Sequence, residues 1–213
     1  LLDPNALAKD GTVALNGMSA SPDGKFLAYG ISKSGSDWQE WKVRTVPEGK
    51  DLPDLLRWVK FSSASWLPDS SGFYYCRYDQ PRGAVKSEVN HYQKLYFHKL
   101  GTPQAADMLV YQRKDQKEWG FEPMVTEDGK YLVIHVWKGT DPKSAAFYKD
   151  LTRPDAPVVE LLNKFDAAYE FLGNEGPVFW IITDLDAPRQ RIVAIDTTNP
   201  ARTTRAARRE NVS

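Results

Sequence analysis

The side chains that could act as nucleophiles in this sequence do not fall into a pattern that predicts catalysis. A serine hydrolase of the α/β type needs a Gly-x-Ser-x-Gly turn, and no such pentapeptide occurs in the 213 residues. The segment that contains Ser32, Ser34 and Ser36 resembles it only loosely and is typical of a turn-rich loop. The sequence therefore predicts no catalytic residue of this kind within the chain.

The three histidines and the one cysteine are equally isolated from potential partners. His91, His98 and His135 do not belong to a His-Glu-x-x-His motif, and no Cys-x-x-Cys motif accompanies them, so no metal site is predicted. His98 and His135 are interpreted as ordinary strand residues. Cys76 has no second cysteine with which to form an internal disulfide. Because glycine-rich phosphate-binding motifs are also missing from the sequence, we predict no cofactor.

The composition narrows the classes of function further. The 28 basic and 28 acidic residues balance, which argues against a nucleic-acid binder that works through a basic face. No apolar stretch approaches the roughly 18 residues of a membrane-spanning helix, and the N-terminal residues lack the features of a secretion signal. We expect a soluble globular protein that binds neither nucleic acid nor membrane.

An internal repeat is the strongest organising feature of the sequence. A turn followed by aromatic and β-branched residues occurs at Ser21–Tyr29, Leu67–Tyr75 and Thr126–Ile134, and a weaker copy occurs at Asn174–Ile181. The glycines of the four copies, Gly24, Gly72, Gly129 and Gly176, are 48, 57 and 47 residues apart. A period of about 50 residues is typical of propeller blades.

The turn residues of each copy have a structural explanation. We expect the glycines to adopt positive φ, which costs them little because they have no Cβ atom. The carboxylates of Asp23, Asp69 and Asp128 are expected to accept backbone hydrogen bonds within the turns. These aspartates are therefore not candidates for catalysis.

Further strand candidates lie between the copies. They are Trp41–Val46, Trp58–Trp66, Lys94–Lys99, Met108–Gln112, Ala146–Leu151, Val158–Leu162 and Arg191–Ile195. This gives about three or four strands per period, as a four-stranded blade requires. The sequence predicts an all-β fold, a β-propeller segment of about four to five blades. The approximate blades are 14–57, 58–116, 117–164 and 165–210.

Several short motifs resemble the propeller domain of the prolyl oligopeptidases, serine peptidases that cleave short peptides after proline. They are Leu1–Asn5, Asp10–Leu15, Ser34–Trp38, Leu52–Asp54, Val59–Ser62, Gln93–His98, Leu100–Thr102, Gly139–Pro142 and Asn174–Gly176. The resemblance covers nearly the whole chain and weakens after Ala201. It implies part of a seven-bladed propeller that caps an α/β-hydrolase domain, with the catalytic serine, aspartate and histidine in that domain. We therefore expect the chain to be a segment of a larger protein.

The resemblance also implies which residues contact substrate. Asp37 would pair with a substrate-binding arginine of the hydrolase domain, and Phe61 would line the subsite two residues upstream of the proline. Gly120 and Thr140 fall at two other lining positions, where better-known members carry a methionine and a cysteine. Two structural alternatives remain open: Asp37 could cap a turn beside Gly35, and Phe61 could belong to the blade core.

The resemblance implies the substrate-gating propeller of a prolyl endopeptidase, with no catalytic residue in this chain and no activity of the chain alone. Its partners would be short proline-containing peptides and the hydrolase domain of the same protein. The full enzyme is expected to be a cytoplasmic monomer, with a periplasmic location as the alternative. Two other functions stay open, a non-catalytic platform for protein interactions and the propeller of a related oligopeptidase that cleaves after basic residues.

Overall fold

The regular structure of the chain is almost entirely β-strand, as the repeat predicts. The computed structural model describes residues 2–3, 11–81 and 90–199 and the backbone of 205–206. The strands are β1 (Val13–Ala20), β2 (Phe26–Lys33), β3 (Gln39–Thr45), β4 (Asp51–Val59), β5 (Ser65–Trp66), β6 (Gly72–Arg77), β7 (Lys94–Lys99), β8 (Met108–Gln112), β9 (Trp119–Val125), β10 (Tyr131–Lys138), β11 (Ala145–Asp150), β12 (Val159–Leu162), β13 (Tyr169–Glu175), β14 (Val178–Thr183), β15 (Arg191–Asp196) and β16 (Arg205–Ala206). A single turn of 3₁₀-helix, Gln104–Ala106, precedes β8. In the part of the chain that the structure describes, no helix is long and apolar enough to cross a membrane.

The strands form four four-stranded sheets, and each sheet is made of four strands that are consecutive in the chain. Such up-and-down sheets are the blades of a β-propeller, so the predicted fold class is confirmed. Hairpins are antiparallel, as in β1 with β2 and in β14 with β15. The chain divides into two compact units, Leu1–Val125 and Thr126–Ser213.

Each unit has its own aromatic-rich core. The core of the first unit consists of Ala28, Trp41, Val43, Leu56, Val59, Ala64, Trp66, Phe73, Tyr75 and Tyr96. These residues come from β2 to β4 of one sheet and from β6, β7 and the region of β5 in the next, so two blades share one core. The core of the second unit consists of Val133, Ala146, Tyr148, Ala167, Tyr169, Phe179, Ile181, Val193 and Ile195. Burial of large rings between neighbouring sheets provides the main stabilisation of such blades.

The first and third repeat turns are stabilised by the same hydrogen bonds. In the first turn, the Ser21 hydroxyl donates to Asp23 Oδ1 (2.7 Å) and accepts the N–H of Phe26 (3.0 Å). In the third, Thr126 donates to Asp128 Oδ1 over the same 2.7 Å distance. These contacts confirm that the turn aspartates have a structural role.

The second repeat turn differs from the prediction for its glycine. Ser70 adopts the positive φ (58°), while Gly72 begins β6 and is buried. A Cβ atom on Gly72 would lie 2.3 Å from the carbonyl oxygen of His98 on the neighbouring strand. Glycine is therefore needed at position 72 for close strand packing and not for the turn.

The indole ring of Trp41 lies against two glycines of the first sheet. Because of this contact, Gly30→Ala is expected to lower the stability of the protein. The new Cβ atom would lie 2.7 Å from Trp41 Nε1, and Trp41 is only 2% exposed. We expect a loss of about 2 kcal/mol in the free energy of unfolding, measured by urea denaturation, because the indole has no space to move. In a Trp41→Phe background the same substitution is expected to cost less than about 1 kcal/mol. Equal costs in the two backgrounds would exclude the indole contact as the cause.

Candidate functional site

The turn between β2 and β3 presents Asp37 at the surface. Ser34 and Gly35 have φ values of 53° and 69°, as both central residues of a type I′ turn require. The hydroxyl of Ser36 accepts the N–H of Trp38 (3.2 Å) and so stabilises the chain just after the turn. Asp37 is 70% exposed at the side chain and interacts with another segment.

Lys60 connects Asp37 with two aromatic rings. Its Nζ atom lies 3.1 Å from Asp37 Oδ2, and its side chain is only 11% exposed. The same atom lies 5.5 Å from the ring centroid of Trp38 and 5.1 Å from that of Phe61. An ion pair with so exposed a partner contributes little stability, so the main effect of Lys60 is to position these groups.

Phe61 is exposed although it is a large apolar residue. It lies just after β4, is 51% exposed and is not part of the buried core, so the alternative in which it fills a blade is wrong. Its φ of 52° is unusual for a bulky residue. Such a conformation persists only where surrounding contacts impose it.

Gln93 supplies those contacts from the start of β7. Its Nε2 atom donates to the carbonyl oxygens of Lys60 (2.9 Å) and Phe61 (3.2 Å). Its Oε1 atom accepts the N–H of Phe121 in β9 (2.6 Å). Because Gln93 is 1% exposed, it joins three segments of the first unit from inside the protein. Neither Gln93 nor Lys60 was predicted from the sequence to be part of the site.

The other two predicted residues lie in different surroundings. Gly120 is buried in β9, one residue before Phe121, whose N–H binds Gln93. Thr140 is exposed in the turn after β10, in the second unit. The structure thus brings Asp37, Lys60 and Phe61 together in the first unit, while substrate contacts by Gly120 and Thr140 stay predictions.

A depression of about 280 Å³ borders Gln93. Lys94, Arg113 and Lys114 line it together with Asp79, and both oxygens of Asp79 lie 2.7 Å from Lys94 Nζ. Basic groups therefore outnumber acidic ones in this lining. Arg113 also pairs with Asp115 (2.7 Å), so part of this basic excess is neutralised by a residue outside the lining.

Among the described residues, candidate sources of chemistry are the thiol of Cys76 and any group of possible metal ligands. Cys76 is fully buried, and its burial raises the pKa of the thiol well above its usual value, so the reactive thiolate is disfavoured. Residues 2–3, 11–81 and 90–199 contain no group of three or more histidine, cysteine or carboxylate side chains that could hold a metal ion. What the arrangement around Lys60 can do chemically is to orient a carboxylate and an aromatic ring toward a ligand.

Comparison with known proteins places these features in context. Residues 1–210 match the family described as "Prolyl oligopeptidase, N-terminal beta-propeller domain". Prolyl oligopeptidase A of Galerina marginata is 38% identical over 215 residues, which cover 91% of this chain and 29% of that protein. The prolyl endopeptidase of Elizabethkingia meningoseptica is 35% identical over 200 residues, which cover 93% and 28%. This chain therefore spans less than a third of the length of these relatives.

Solved structures show the same similarity. A prolyl endopeptidase structure matches with a TM-score of 0.82 and 35% identity, over 92% of this chain and 27% of that one. Prolyl oligopeptidase B from Galerina marginata, described as bound to a 35mer hydrolysis and macrocyclization substrate, matches with a TM-score of 0.83 and 32% identity, over 92% and 29%.

Proposed function

The chain belongs to the prolyl oligopeptidase family as part of its N-terminal β-propeller domain, and we propose that it contributes substrate-binding groups to a serine endopeptidase. The whole enzyme would hydrolyse short peptides on the carboxyl side of proline. The catalytic triad would lie in an α/β-hydrolase domain of the same protein, outside this chain. The chain alone would then be inactive.

One observation carries this proposal more than any other. The exposed carboxylate of Asp37 and the exposed ring of Phe61 are joined through the nearly buried ammonium group of Lys60. A carboxylate suits a positively charged partner such as an arginine, and an exposed ring suits an apolar side chain of a peptide. Both groups are held by the protein before any ligand binds, which lowers the entropic cost of binding.

The remaining parts of the proposal concern the whole protein. A narrow propeller channel would admit short peptides and exclude folded proteins, which makes the propeller a filter for substrates. Thr140 and Gly120 are each proposed as substrate-lining positions, and the blade limits 14–57, 58–116, 117–164 and 165–210 belong to the same proposal. We further propose that the enzyme acts as a monomer, in the cytoplasm or alternatively in the periplasm.

Substitutions in the longer protein that carries this chain test the assigned roles. Asp37→Ala is expected to lower kcat/KM about tenfold for chromogenic Phe-Gly-Pro and Gly-Gly-Pro substrates alike, because both need the same charged partner. Phe61→Ala is expected to lower kcat/KM about tenfold for Phe-Gly-Pro alone, since only that substrate places a ring two residues before the proline. The measurement is steady-state hydrolysis at matched enzyme concentrations.

Asp155→Ala serves as the matched control, because Asp155 is an exposed aspartate of the second unit. Its kcat/KM is expected to equal that of the wild type. An unchanged kcat/KM in Asp37→Ala, or an equal loss for both substrates in Phe61→Ala, would contradict the corresponding role. Hydrolysis by the 213-residue chain alone would contradict the placement of the triad outside it.

A further inference from the structure

A second candidate binding site lies beside the Asp37–Phe61 cluster, between the β2–β3 turn and the end of β4. It is a pocket of about 190 Å³ whose apolar lining includes Trp38 and Trp58. The two indole rings are 6.1 Å apart at their centroids and almost perpendicular, with an interplanar angle of 81°. Perpendicular rings form a corner with two apolar walls, which we call the tryptophan corner.

The backbone at Trp58 is strained in a way that brings its ring to this corner. Trp58 has a φ of 63°, in the left-handed region that favours glycine. The register of β3 with β4 shifts here, since Gln39 pairs with Val59 while Trp41 pairs with Leu56. Bulges of this kind redirect side chains near binding sites, and a strained bulky residue in one points to a function for its ring.

The charged residues around the tryptophan corner favour an uncharged occupant. Glu40 lies 3.1 Å from Lys33 Nζ and 3.5 Å from Arg57 Nε, so the acidic and basic groups of the lining pair with one another. These pairs are exposed to water, and the apolar indole walls provide most of the surface that a ligand would contact. A compact apolar ring would pack against the indoles and leave the pairs intact.

The corner is continuous with the cluster that contains Phe61. The ring of Trp38 lies at the corner and also packs near Lys60 Nζ, which in turn lies 5.1 Å from the ring of Phe61. A ligand that crosses both places must be extended. Proline-rich peptides are extended without internal hydrogen bonds, and aromatic-lined grooves bind their rings.

We infer that the tryptophan corner is a secondary site for a prolyl ring of an extended peptide, distinct from the subsite at Phe61. This inference extends the proposed function, because it gives the propeller a contact with peptide residues beyond that subsite. Trp58 is the residue that defines specificity for a ring at this position.

Indole resonances of the ¹⁵N-tryptophan-labelled longer protein that carries this chain test the inference directly. Acetylated and amidated hexaproline is expected to shift the Nε1–H signals of Trp38 and Trp58 with a Kd of about 1 mM, while hexaalanine leaves them in place. The signal of Trp66, which is 6% exposed and whose Nε1–H donates to the carbonyl oxygen of Ser19 (3.1 Å), is the internal reference. Trp58→Gly is expected to weaken hexaproline binding at least about tenfold, because one wall is removed.

The glycine variant separates a binding role from a structural one. Glycine adopts positive φ without strain, so Trp58→Gly is expected to fold. Its resistance to urea is expected to fall by no more than the contribution of the lost ring contacts. Trp58→Phe is expected to recover part of the affinity. Failure of hexaproline to shift the two signals, or equal shifts with hexaalanine, would overturn the inference.

Phe61→Ala distinguishes this inference from the proposed function. If Phe61→Ala abolishes hexaproline binding and Trp58→Gly does not, the corner is not the site, whereas the role of Phe61 stands. If the indole shifts occur as expected but Asp37→Ala and Phe61→Ala leave peptide hydrolysis unchanged, the proposed function fails and the corner remains a binding site.

Discussion

His98→Ala is expected to lower the free energy of unfolding by about 3–5 kcal/mol, because it leaves two buried carboxylates without their shared cation. His98 Nε2 lies 2.9 Å from Asp54 Oδ1, and His98 Nδ1 lies 2.7 Å from Asp107 Oδ1. All three side chains are 0% exposed. The hydroxyl of Tyr75 donates to Asp107 Oδ2 (2.6 Å), so the variant disturbs a connected network in the core of the first unit.

The same network makes stability depend on pH in a defined direction. Burial alone lowers the pKa of His98, but the hydrogen bonds and charges of Asp107 and Asp54 raise it to about 9. Because the folded-state pKa lies above the unfolded value of about 6.5, the stabilisation is complete below that value and is lost as the pH rises toward 9. The pKa difference corresponds to about 3 kcal/mol.

Urea denaturation at intervals between about pH 6 and pH 10 measures this loss in the wild type and in His98→Ala. The difference between the two proteins is expected to shrink across this range, because the wild type loses its imidazolium. His91→Ala is the matched control, since His91 is only partly buried, and it is expected to cost less than about 1 kcal/mol. A difference between wild type and His98→Ala that is independent of pH would show that His98 is neutral in the folded protein.

The hydrogen-bond partners of His98 could not be predicted from the spacing of residues in the sequence. His98 is a strand residue, as predicted, but its partners are 44 and 9 positions away and belong to different elements. Interpreting it as an ordinary strand residue was therefore incomplete. A polar residue in a strand can be assigned to a network only when the strands that face it are known.

Strand bounds were predicted correctly for two strands whose sequences contain neither proline nor glycine. β7 and β8 have the predicted bounds, Lys94–Lys99 and Met108–Gln112. The predicted strand Trp58–Trp66 is wrong, because positive φ at Trp58 and Phe61 divides it into the end of β4 and the short β5. The backbone conformation of these two residues follows from long-range contacts and not from local propensity.

Five strands, β1, β4, β9, β13 and β16, were not predicted, and the compositions of three of them explain why. β4 contains Pro53 and β9 contains Pro123, and proline within a run argues against a strand unless it lies at an edge or a bulge. β13 contains Gly173, which interrupts the alternation of side chains and coincides with a register shift. β1 was not identified as a strand, although its side chains alternate between half-buried and exposed positions. Pairing with neighbouring strands stabilises these strands despite their weak local signals.

The residues of the candidate site could also be predicted from the sequence only in part. Asp37 and Phe61 lie in recognisable motifs, and the structure places both on one cluster. Lys60 and Gln93 gave no functional signal, because a lysine beside a strand end and a lone glutamine are common surface residues. Their importance comes from burial and from contacts between distant segments, which only the fold provides.

Gln93→Leu is expected to destabilise the chain by about 3 kcal/mol, because three backbone groups lose their hydrogen-bond partner in the interior. The groups are the carbonyl oxygens of Lys60 and Phe61 and the N–H of Phe121. Leucine fills much of the same volume, so the loss reports the missing hydrogen bonds more than a cavity. Gln112→Leu is the matched control, since Gln112 is only half-buried at the end of β8, and it is expected to cost less than about 1 kcal/mol.

Gln93→Glu tests the direction of these hydrogen bonds. A charged glutamate can still accept the N–H of Phe121, but its other oxygen would face the carbonyl oxygens of Lys60 and Phe61. Burial and these oxygens raise the pKa of the new carboxyl, so the variant is expected to be unstable near pH 7 and to regain stability as the pH falls toward about 4. A protonated carboxyl donates one hydrogen bond and so replaces part of the amide. Urea denaturation of wild type and variant at both pH values measures the recovery, and an equal deficit at both would mean that Gln93 does not hold Phe61 through its amide N–H groups.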